Sequence, residues 1–360
     1  TYTENANGTK SQNQWLLEPA FTFGDENIEG FWFAKFEASN TDGYGDDAST
    51  ANDANLTMRI KPNVTSWRNI TAANIFTACL NLTSSTNYKT YFNNVSNVDT
   101  HMTKNVEWGA VAYLAHSKFG LNGKEIGINA NSSYKTGIGN DGSSVYNTDI
   151  GKKSSTTNNV YGIYDMAGGA WERVAGYLDN GNGNLDTYGK SADESVKYFQ
   201  NGKLNSSYTS IWDSYEVSDE EKNNRITLSD GTVETDLWNG SKTALKYQEA
   251  RYRLTNYTYN KMASHKGIGV NEVSTACAFY APSPARSNWD WYLTASDAVA
   301  GNVNYGRAWD GDLVLIGHLA RPFVGRGGGC NDGSNAGVLC SDVTSGYPNN
   351  GNGFRAVLVV

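Results

Sequence analysis

The sequence is poor in charged residues, in cysteine, in histidine and in long apolar runs. Charged residues make up 18% of its 360 residues, and the net charge is −8. No basic cluster stands out, so a nucleic-acid partner is not expected. No apolar run reaches the roughly 18 residues that a membrane-spanning helix needs, so direct insertion into a membrane is not expected either.

The four cysteines are Cys79, Cys277, Cys330 and Cys340, and none of them forms a C-x-x-C pair. A zinc site or a thioredoxin-like redox site is therefore not indicated. Four cysteines allow three pairings, and the sequence does not choose among them.

Glycine, tyrosine, asparagine, serine and threonine are abundant instead, with 38 Gly and 22 Tyr. Gly and Asn tolerate positive φ, and Asn and Ser bond to nearby backbone, so the mixture predicts long ordered loops. We expect a flexible N-terminal tail over residues 1–14 and one large domain over residues 15–360. The chain begins at Thr1 rather than Met, which predicts a trimmed, extracellular product from which a signal or anchor has been removed.

Alternating apolar residues predict strands over residues 30–40, 56–60 and 354–360, and Pro62 makes the second an edge strand. Residues 120–158 have no periodicity, so we expect an ordered functional or covering loop there. Helices are predicted over residues 67–82, with Ser66 as the N-cap, and over residues 104–117, with Gly120 ending the second.

Four motifs carry a family resemblance. They are GFWFAKFEASN at residues 30–40, NVEWGAVAY at 105–113, GIYDMAGGAWE at 162–172, and RGG at 326–328 followed by GFR at 353–355. In this order the chain, from about residue 28 to 360, resembles the formylglycine-generating (sulfatase-modifying) enzyme superfamily. The resemblance implies an α+β, C-type-lectin-like fold with little regular secondary structure and long ordered loops.

Charged residues within these motifs lie among apolar ones. They are Asp165, Glu172, Arg326 and Arg355. Charges are rarely buried unless paired, so we expect ion pairs or backbone bonds that tie loops together, rather than catalytic carboxylates. Met166 and Trp171 are expected to fill the core.

The oxidase of the resembled superfamily binds copper through two cysteines near its RGG motif. Cys330 and Cys340 lie in that region, but their spacing is wider than the family's, and two sulfurs must converge on one ion. Related iron enzymes need a histidine cluster, whereas the four histidines here are scattered: His101, His116, His265 and His318. We therefore predict no catalytic residue and no cofactor, with a copper-dependent oxidase as the alternative. The Asp/Asn-rich loop at 46–55 leaves calcium open.

A narrower resemblance joins NVEWGAVAY and GIYDMAGGAWE with RGG-x4-GSNAG at residues 326–337. Together they resemble the variable proteins of diversity-generating retroelements, which bacteria and their phages use to display a hypervariable C-terminal surface on a lectin-like fold. In that family adenines are randomised, chiefly in Asn codons, which then never encode Glu, Lys, Gln, Met or Trp. Residues 310–360 contain none of these five.

The resemblance and the mixed Tyr, Asn, Ser, Asp and Gly composition both place a ligand-binding region at about residues 309–353. The predicted ligand-binding residues are Asp310, Asp312, Leu313, Leu315, His318, Arg321, Gly325, Gly329, Cys330, Asn331, Asp332, Cys340, Asp342, Tyr347 and Asn349. Between them we expect fixed scaffold residues, namely Arg326, Gly327, Gly328, Gly333, Ser334, Asn335, Ala336, Gly337, Phe354 and Arg355.

The predicted function is a non-enzymatic, surface-displayed ligand-binding protein, an adhesin or receptor-binding element on a cell surface or phage particle. The expected partner is a protein on a host or target cell. A carbohydrate is less favoured, because the calcium-sugar motifs Glu-Pro-Asn and Gln-Pro-Asp do not occur in the chain. A structural pilus or phage-tail subunit is the other alternative.

Overall fold

A computed structural model describes residues 3–4, 10–11, 19–23, 26–40, 49–83, 98–179, 188, 213–216, 225–227, 233–235, 306–307, 312–314, 321 and 323–359. Its helices are α1 (Ala72–Leu80) and α2 (Asn105–His116), with short 3-10 turns at Pro19–Phe21, Asn81–Thr83, Gly151–Ser154 and Gly333–Asn335. In chain order the strands are β1 (Thr3–Glu4), β2 (Lys10–Ser11), β3 (Thr22–Phe23), β4 (Glu26–Asn27), β5 (Trp32–Phe33), β6 (Ala38–Asn40), β7 (Met58–Ile60), β8 (Asp99–Met102), β9 (Trp171–Asp179), β10 (Asp213–Glu216), β11 (Arg225–Thr227), β12 (Val233–Thr235), β13 (Gly306–Arg307), β14 (Leu313–Val314), β15 (Phe323–Arg326), β16 (Ser341–Thr344), β17 (Asn352–Phe354) and β18 (Ala356–Val359).

The largest sheet has seven strands and is mixed. Its order is β10-β9-β15-β16-β14-β13, and β17 also pairs with β9. β9 runs parallel to β10 and β17 and antiparallel to β15. The motif at 162–172 therefore leads directly into the strand that contacts both β15 and β17 of the C-terminal stretch.

A second sheet has the order β5-β18-β8, and a single residue separates its strand β18 from the end of β17. Arg355 is that single residue, so the chain passes from one sheet to the other at a buried arginine. The predicted strand at 354–360 is thus two short strands that meet at Arg355.

The predicted strand at 30–40 is also two strands, β5 and β6, which belong to different sheets. The chain bends between them where Lys35 is held by the loop that precedes β9. Lys35 O accepts a hydrogen bond from Tyr164 N at 2.8 Å, and Lys35 Nζ donates to Val160 O. β7 pairs antiparallel with β6, which confirms the short strand predicted before Pro62.

The second predicted helix is confirmed as α2. Its N-terminal turn is closed by a local bond, because Glu107 Oε2 accepts from Lys104 N at 2.8 Å. The first predicted helix is wrong at its start, because α1 is capped by Thr71 rather than Ser66. Asn69 has a positive φ of 56°, and Trp67 N donates to Ala38 O at 2.7 Å, so this segment bonds to distant strands instead of to a helical turn.

The apolar core lies between α1 and the strands β6, β15 and β17. Trp67, Phe76, Phe323 and Phe354 are fully or almost fully buried in it. Residues 120–158 have few regular elements, only the 3-10 turn at Gly151–Ser154 and isolated bridges such as Ile138 to Val145. The described residues therefore combine α and β structure with long ordered loops. Within the predicted tail, β1 and β2 pair with each other.

Candidate ligand-binding surface

The loop at residues 346–351 joins β16 to β17 and is bound to the rest of the protein through its main-chain carbonyls. Donors outside the loop reach five of its six carbonyl oxygens. They are Ala72 N to Gly346 O at 3.0 Å, Arg173 Nη2 to Tyr347 O at 2.5 Å, Asn69 N to Asn349 O at 2.9 Å, Arg68 Nη1 to Asn350 O, and Trp171 N to Gly351 O at 2.9 Å. We call this segment the carbonyl-anchored loop. These bonds do not depend on which side chains the loop carries, because every acceptor is a main-chain atom.

Arg173 donates to this loop from a buried side chain, 1% exposed, and it lies on β9. Its Nη1 also donates to Ile70 O at 2.6 Å, and its Nε donates to Thr344 Oγ1 at 3.2 Å. Burial lowers the pKa of Arg173 to about 9. At neutral pH the guanidinium therefore remains charged and links the carbonyl-anchored loop to the segment before α1.

The turn at residues 327–340 is also held by hydrogen bonds to its main chain. Cys330 N donates to Gly169 O at 2.8 Å, Gly168 N donates to Gly327 O at 3.0 Å, and Trp108 Nε1 donates to Val338 O at 2.7 Å. Gly328 has a φ of +76°, and a Cβ there would lie 2.5 Å from the Cβ of Ala336. Glycine is thus required at 328, and the prediction that this residue belongs to the scaffold is supported.

Beneath these loops lies a buried charge cluster, which we define as Glu37, Asp165, Glu172 and Arg355. Arg355 Nε donates to Glu172 Oε2 at 2.6 Å and its Nη2 to Glu172 Oε1, while Asp165 Oδ1 accepts from Gly137 N at 2.8 Å. The predicted pairing of the motif charges is confirmed for Asp165, Glu172 and Arg355. Sequence reasoning missed Glu37, whose Oε1 accepts from Ala170 N at 3.0 Å.

Three carboxyl groups around one guanidinium cannot all be ionised cheaply. Burial, followed by the charges of Glu172 and Asp165, raises the pKa of Glu37 well above its usual value. Burial raises the pKa of Glu172 to about 7, against the opposing effect of Arg355. This cluster is a structural element whose charges satisfy one another, and it lies under the surface rather than on it.

The predicted ligand-binding residues separate into three groups. Asn331 and Tyr347 are exposed, Tyr347 by 44%, and four others are partly exposed: Arg321, Asp332, Asp342 and Asn349. Asp310, Leu315 and His318 lie outside the described residues, and only the backbone of Leu313 is described. The third group is buried.

The buried group contradicts the expectation that these side chains project outward. Asp312 is 2% exposed, and its Oδ2 accepts from Leu339 N at 2.7 Å, so it supports the turn from inside. Cys330 is 7% exposed and Cys340 0%. Gly325 and Gly329 are buried too, because β15 lies between β9 and β16 and Gly329 packs beside Trp171.

Seven of the ten predicted scaffold residues are buried, which agrees with that role, whereas Asn335 is partly exposed and Gly333 and Ser334 are exposed. Arg326, Gly327, Ala336, Gly337, Phe354 and Arg355 are buried, as is Gly328. Gly333 and Ser334 are exposed because the 3-10 turn that contains them lies on the outside of the 327–340 turn.

Two aromatic residues outside the C-terminal stretch border this surface, and sequence reasoning did not assign them to it. Trp171 was expected in the core, but it is partly exposed, whereas Met166 is fully buried as predicted. The ring of Tyr134 lies 4.0 Å from Arg68 Cζ, and its backbone has a φ of 54°. Burial, followed by the neighbouring Cys330, raises the pKa of Tyr134. Neither residue carries a sequence signal that distinguishes a surface aromatic from a core one.

The thiols lie in surroundings that disfavour the thiolate. Burial, with the charges of Asp312 and Asp342 adding to it, raises the pKa of Cys340 well above its usual value. Burial and Asp332 raise the pKa of Cys330 as well. Both are free thiols. Among the described residues no group of three or more His, Cys, Asp or Glu side chains is arranged to hold a metal ion.

No protein-family model matches the chain, and no curated protein matches it either. In the described part of the chain, no helix is both long and apolar enough to cross a membrane.

Proposed function

We propose that this protein is a ligand-binding protein that presents changeable side chains from its C-terminal stretch on a frame indifferent to their identity. The observation that carries the proposal is the carbonyl-anchored loop, in which five backbone oxygens are bound by scaffold donors. Specificity residues of binding proteins lie on loops positioned by a rigid scaffold. A loop fixed through its backbone can change side chains without changing shape.

The exposed positions support the same proposal. Asn331 lies on the 327–340 turn, and Tyr347 and Asn350 lie on the carbonyl-anchored loop. Tyr and Asn are typical of binding loops, because Tyr provides a large rigid contact area and Asn provides adaptable hydrogen bonds. The proposed partner is a protein on a host or target cell surface.

The proposed architecture is the C-type-lectin-like fold of the formylglycine-generating superfamily, in the form used by variable proteins of diversity-generating retroelements. The motif residues support it by their common location. The third motif provides Glu172, and the last provides Arg355, and the two form the buried ion pair. Extracellular display on a cell or phage particle follows from this proposal.

Two experiments test the proposal. The first is to sequence the locus, where we expect a reverse-transcriptase gene and a near-copy of the segment encoding residues 309–353 that differs at adenines. A complete locus with neither feature contradicts the retroelement origin.

The second is a display library randomised at Asn331, Tyr347 and Asn350 and selected against a purified protein such as lysozyme. Most members should remain folded, and selection should yield binders. A matched library at Ile138, Met166 and Ala175, all buried, should lose folded members. Equal loss in both libraries contradicts the proposed function.

A further inference from the structure

Trp171 lies at the start of β9, where neighbouring segments fix its backbone. Its main-chain N–H donates to Gly351 O at 2.9 Å, and Trp171 is the register partner of Asn352 on β17. The side chain is nevertheless partly exposed. A large aromatic group that is partly exposed on a rigid strand beside a proposed binding surface is the kind of residue that anchors partners.

Two glycines face the indole ring. A Cβ on Gly329 would lie 3.3 Å from Trp171 Cδ1 and Nε1, and a Cβ on Gly325 would lie 3.6 Å from Cε3. Because both positions are glycine, neither places a side chain on the ring. The indole remains partly exposed with these two glycines beside it.

A carboxylate lies at the pyrrole edge of the same ring. The Cβ position on Gly329 that is close to the indole is also 3.2 Å from Asp332 Oδ2. Gly329 N donates to that oxygen at 2.7 Å, so the carboxylate is held in place, and Asp332 is partly exposed. An aromatic ring with an adjoining carboxylate offers a cation both a π face and an ion-pair partner.

The charges nearby favour a positively charged group. The cations on the strands around the ring are buried. Arg326 and Arg355 are 1% and 0% exposed, and Arg173, two residues beyond Trp171 on β9, is 1% exposed and donates to Ile70 O, Tyr347 O and Thr344 Oγ1. Arg321, two residues before β15, is partly exposed. Arg68 is 4% exposed, and the Tyr134 ring lies against it. Asp342, opposite Gly325 in the β15–β16 pair, adds a second carboxylate on this side.

We propose that the indole of Trp171, with the Asp332 carboxylate at its edge, receives an arginine or lysine side chain of a protein partner. Arginine fits better, because its planar guanidinium can stack on the indole and bind the carboxylate through two N–H groups. This inference rests on the proposed function and adds the chemistry of the anchor. Trp171 belongs to the fixed frame, whereas Asp332 lies on the 327–340 turn that presents the changeable positions.

The test uses N-acetyl-argininamide as the probe and follows the Trp171 indole N–H by NMR, with the signal assigned from Trp171→Phe. We expect the signal to shift on titration, and we expect the neutral isostere N-acetyl-citrullinamide to leave it unchanged. Asp332→Asn should weaken binding at least threefold, and Asp149→Asn, an exposed carboxylate elsewhere, should not. Equal shifts with both probes, or equal affinities of these two variants, overturn the proposal.

A second pair of variants tests whether covering the indole ring weakens binding, with the ring itself left in place. Gly329→Ala places a methyl group against the indole and should weaken probe binding, whereas Gly30→Ala, which has no heavy atom within 4 Å of its new Cβ, should not. Unchanged binding in Gly329→Ala overturns the proposal. If the display library yields binders while the probe leaves the indole signal unchanged, the proposed function stands and this inference fails. If the indole signal responds to the probe but the library yields no binders, the cation site exists and the proposed function is contradicted.

Discussion

The carbonyl-anchored loop and the buried charge cluster are stabilised in opposite ways. In the loop, donors from the scaffold bind main-chain oxygens, and the exposed side chains of Tyr347 and Asn350 take no part in those bonds. In the cluster, the bonds connect side chains that are completely desolvated, above all Glu172 and Arg355. Side-chain identity should therefore matter greatly in the cluster and little in the loop, and substitutions in each region test that difference.

The largest effect is expected from Arg355→Ala. This change leaves Glu172 and its carboxylate neighbours buried without their cation, and it also removes donors to Ala34 O and Tyr164 O. Breaking a buried ion pair by removing one partner costs roughly 3–5 kcal/mol. Urea unfolding at pH 7 measures the loss, and a loss below about 1 kcal/mol would show that the cluster is not an essential support.

The next largest effect on stability is a dependence on pH. It arises from His101, Asp99 and Glu107, three charged groups where β8 leads into α2. His101 is fully buried, with Nδ1 2.5 Å from Asp99 Oδ1 and Nε2 2.8 Å from Glu107 Oε1. Burial opposes protonation, but the charges of Glu107 and Asp99 outweigh it and raise the pKa of His101 to about 10.

Because this folded-state pKa is raised, its stabilisation is complete below about pH 6.5 and is lost as pH rises through about 10. We expect the free energy of unfolding to fall by on the order of 2–4 kcal/mol over this range. His101→Gln should flatten the decline in urea unfolding measured from pH 6.5 to 10. An equally steep decline in the variant would assign it to other groups.

Arg173→Met tests the link between the carbonyl-anchored loop and the segment before α1, since it removes a scaffold donor and leaves the loop sequence unchanged. Loss of the bonds to Ile70 O and Tyr347 O should cost about 2 kcal/mol. Hydrogen exchange should rise in residues 346–351 more than in α2. Uniformly increased exchange would indicate general destabilisation rather than release of the loop.

The smallest effects come from two neighbours within the loop. Asn349 Oδ1 accepts from Gly351 N at 2.7 Å, so Asn349→Ala should cost about 1 kcal/mol. Asn350 is exposed and bonds to Arg68 through its carbonyl, so Asn350→Ala should change stability by less than about 0.5 kcal/mol. Thermal unfolding of both variants provides the measurement, and the reverse order would contradict the assignment of roles.

The elements that the sequence predicts correctly are those that local patterns of residues determine. α2 is correct because its apolar stripe and the Lys104–Glu107 bond are both local. The start of α1 is wrong because Trp67 and Asn69 use their amides in bonds to residues far along the chain. The strand at 30–40 divides because Lys35 is held by a loop more than a hundred residues away.

The candidate site likewise has features that the sequence predicts and features that it does not. The buried charges of the candidate site follow from the motifs, but the facing of individual side chains depends on how β15 packs between β9 and β16. Cys330 and Cys340 were expected to point outward and are buried instead. Trp171 was expected in the core and is partly exposed. Nothing in one strand's sequence specifies which of its faces another strand will cover.

The central claim is that the loop backbone is fixed independently of its side chains, and one measurement tests it directly. In a variant with Asn331, Tyr347 and Asn350 all replaced by Ser, hydrogen exchange is recorded for the amides of Asn69, Ala72 and Trp171, which donate to the loop carbonyls. Protection of all three amides should stay within about threefold of the parent protein, a change below about 0.7 kcal/mol. A loss of protection confined to these amides would show that the side chains hold the loop, and the account would be contradicted.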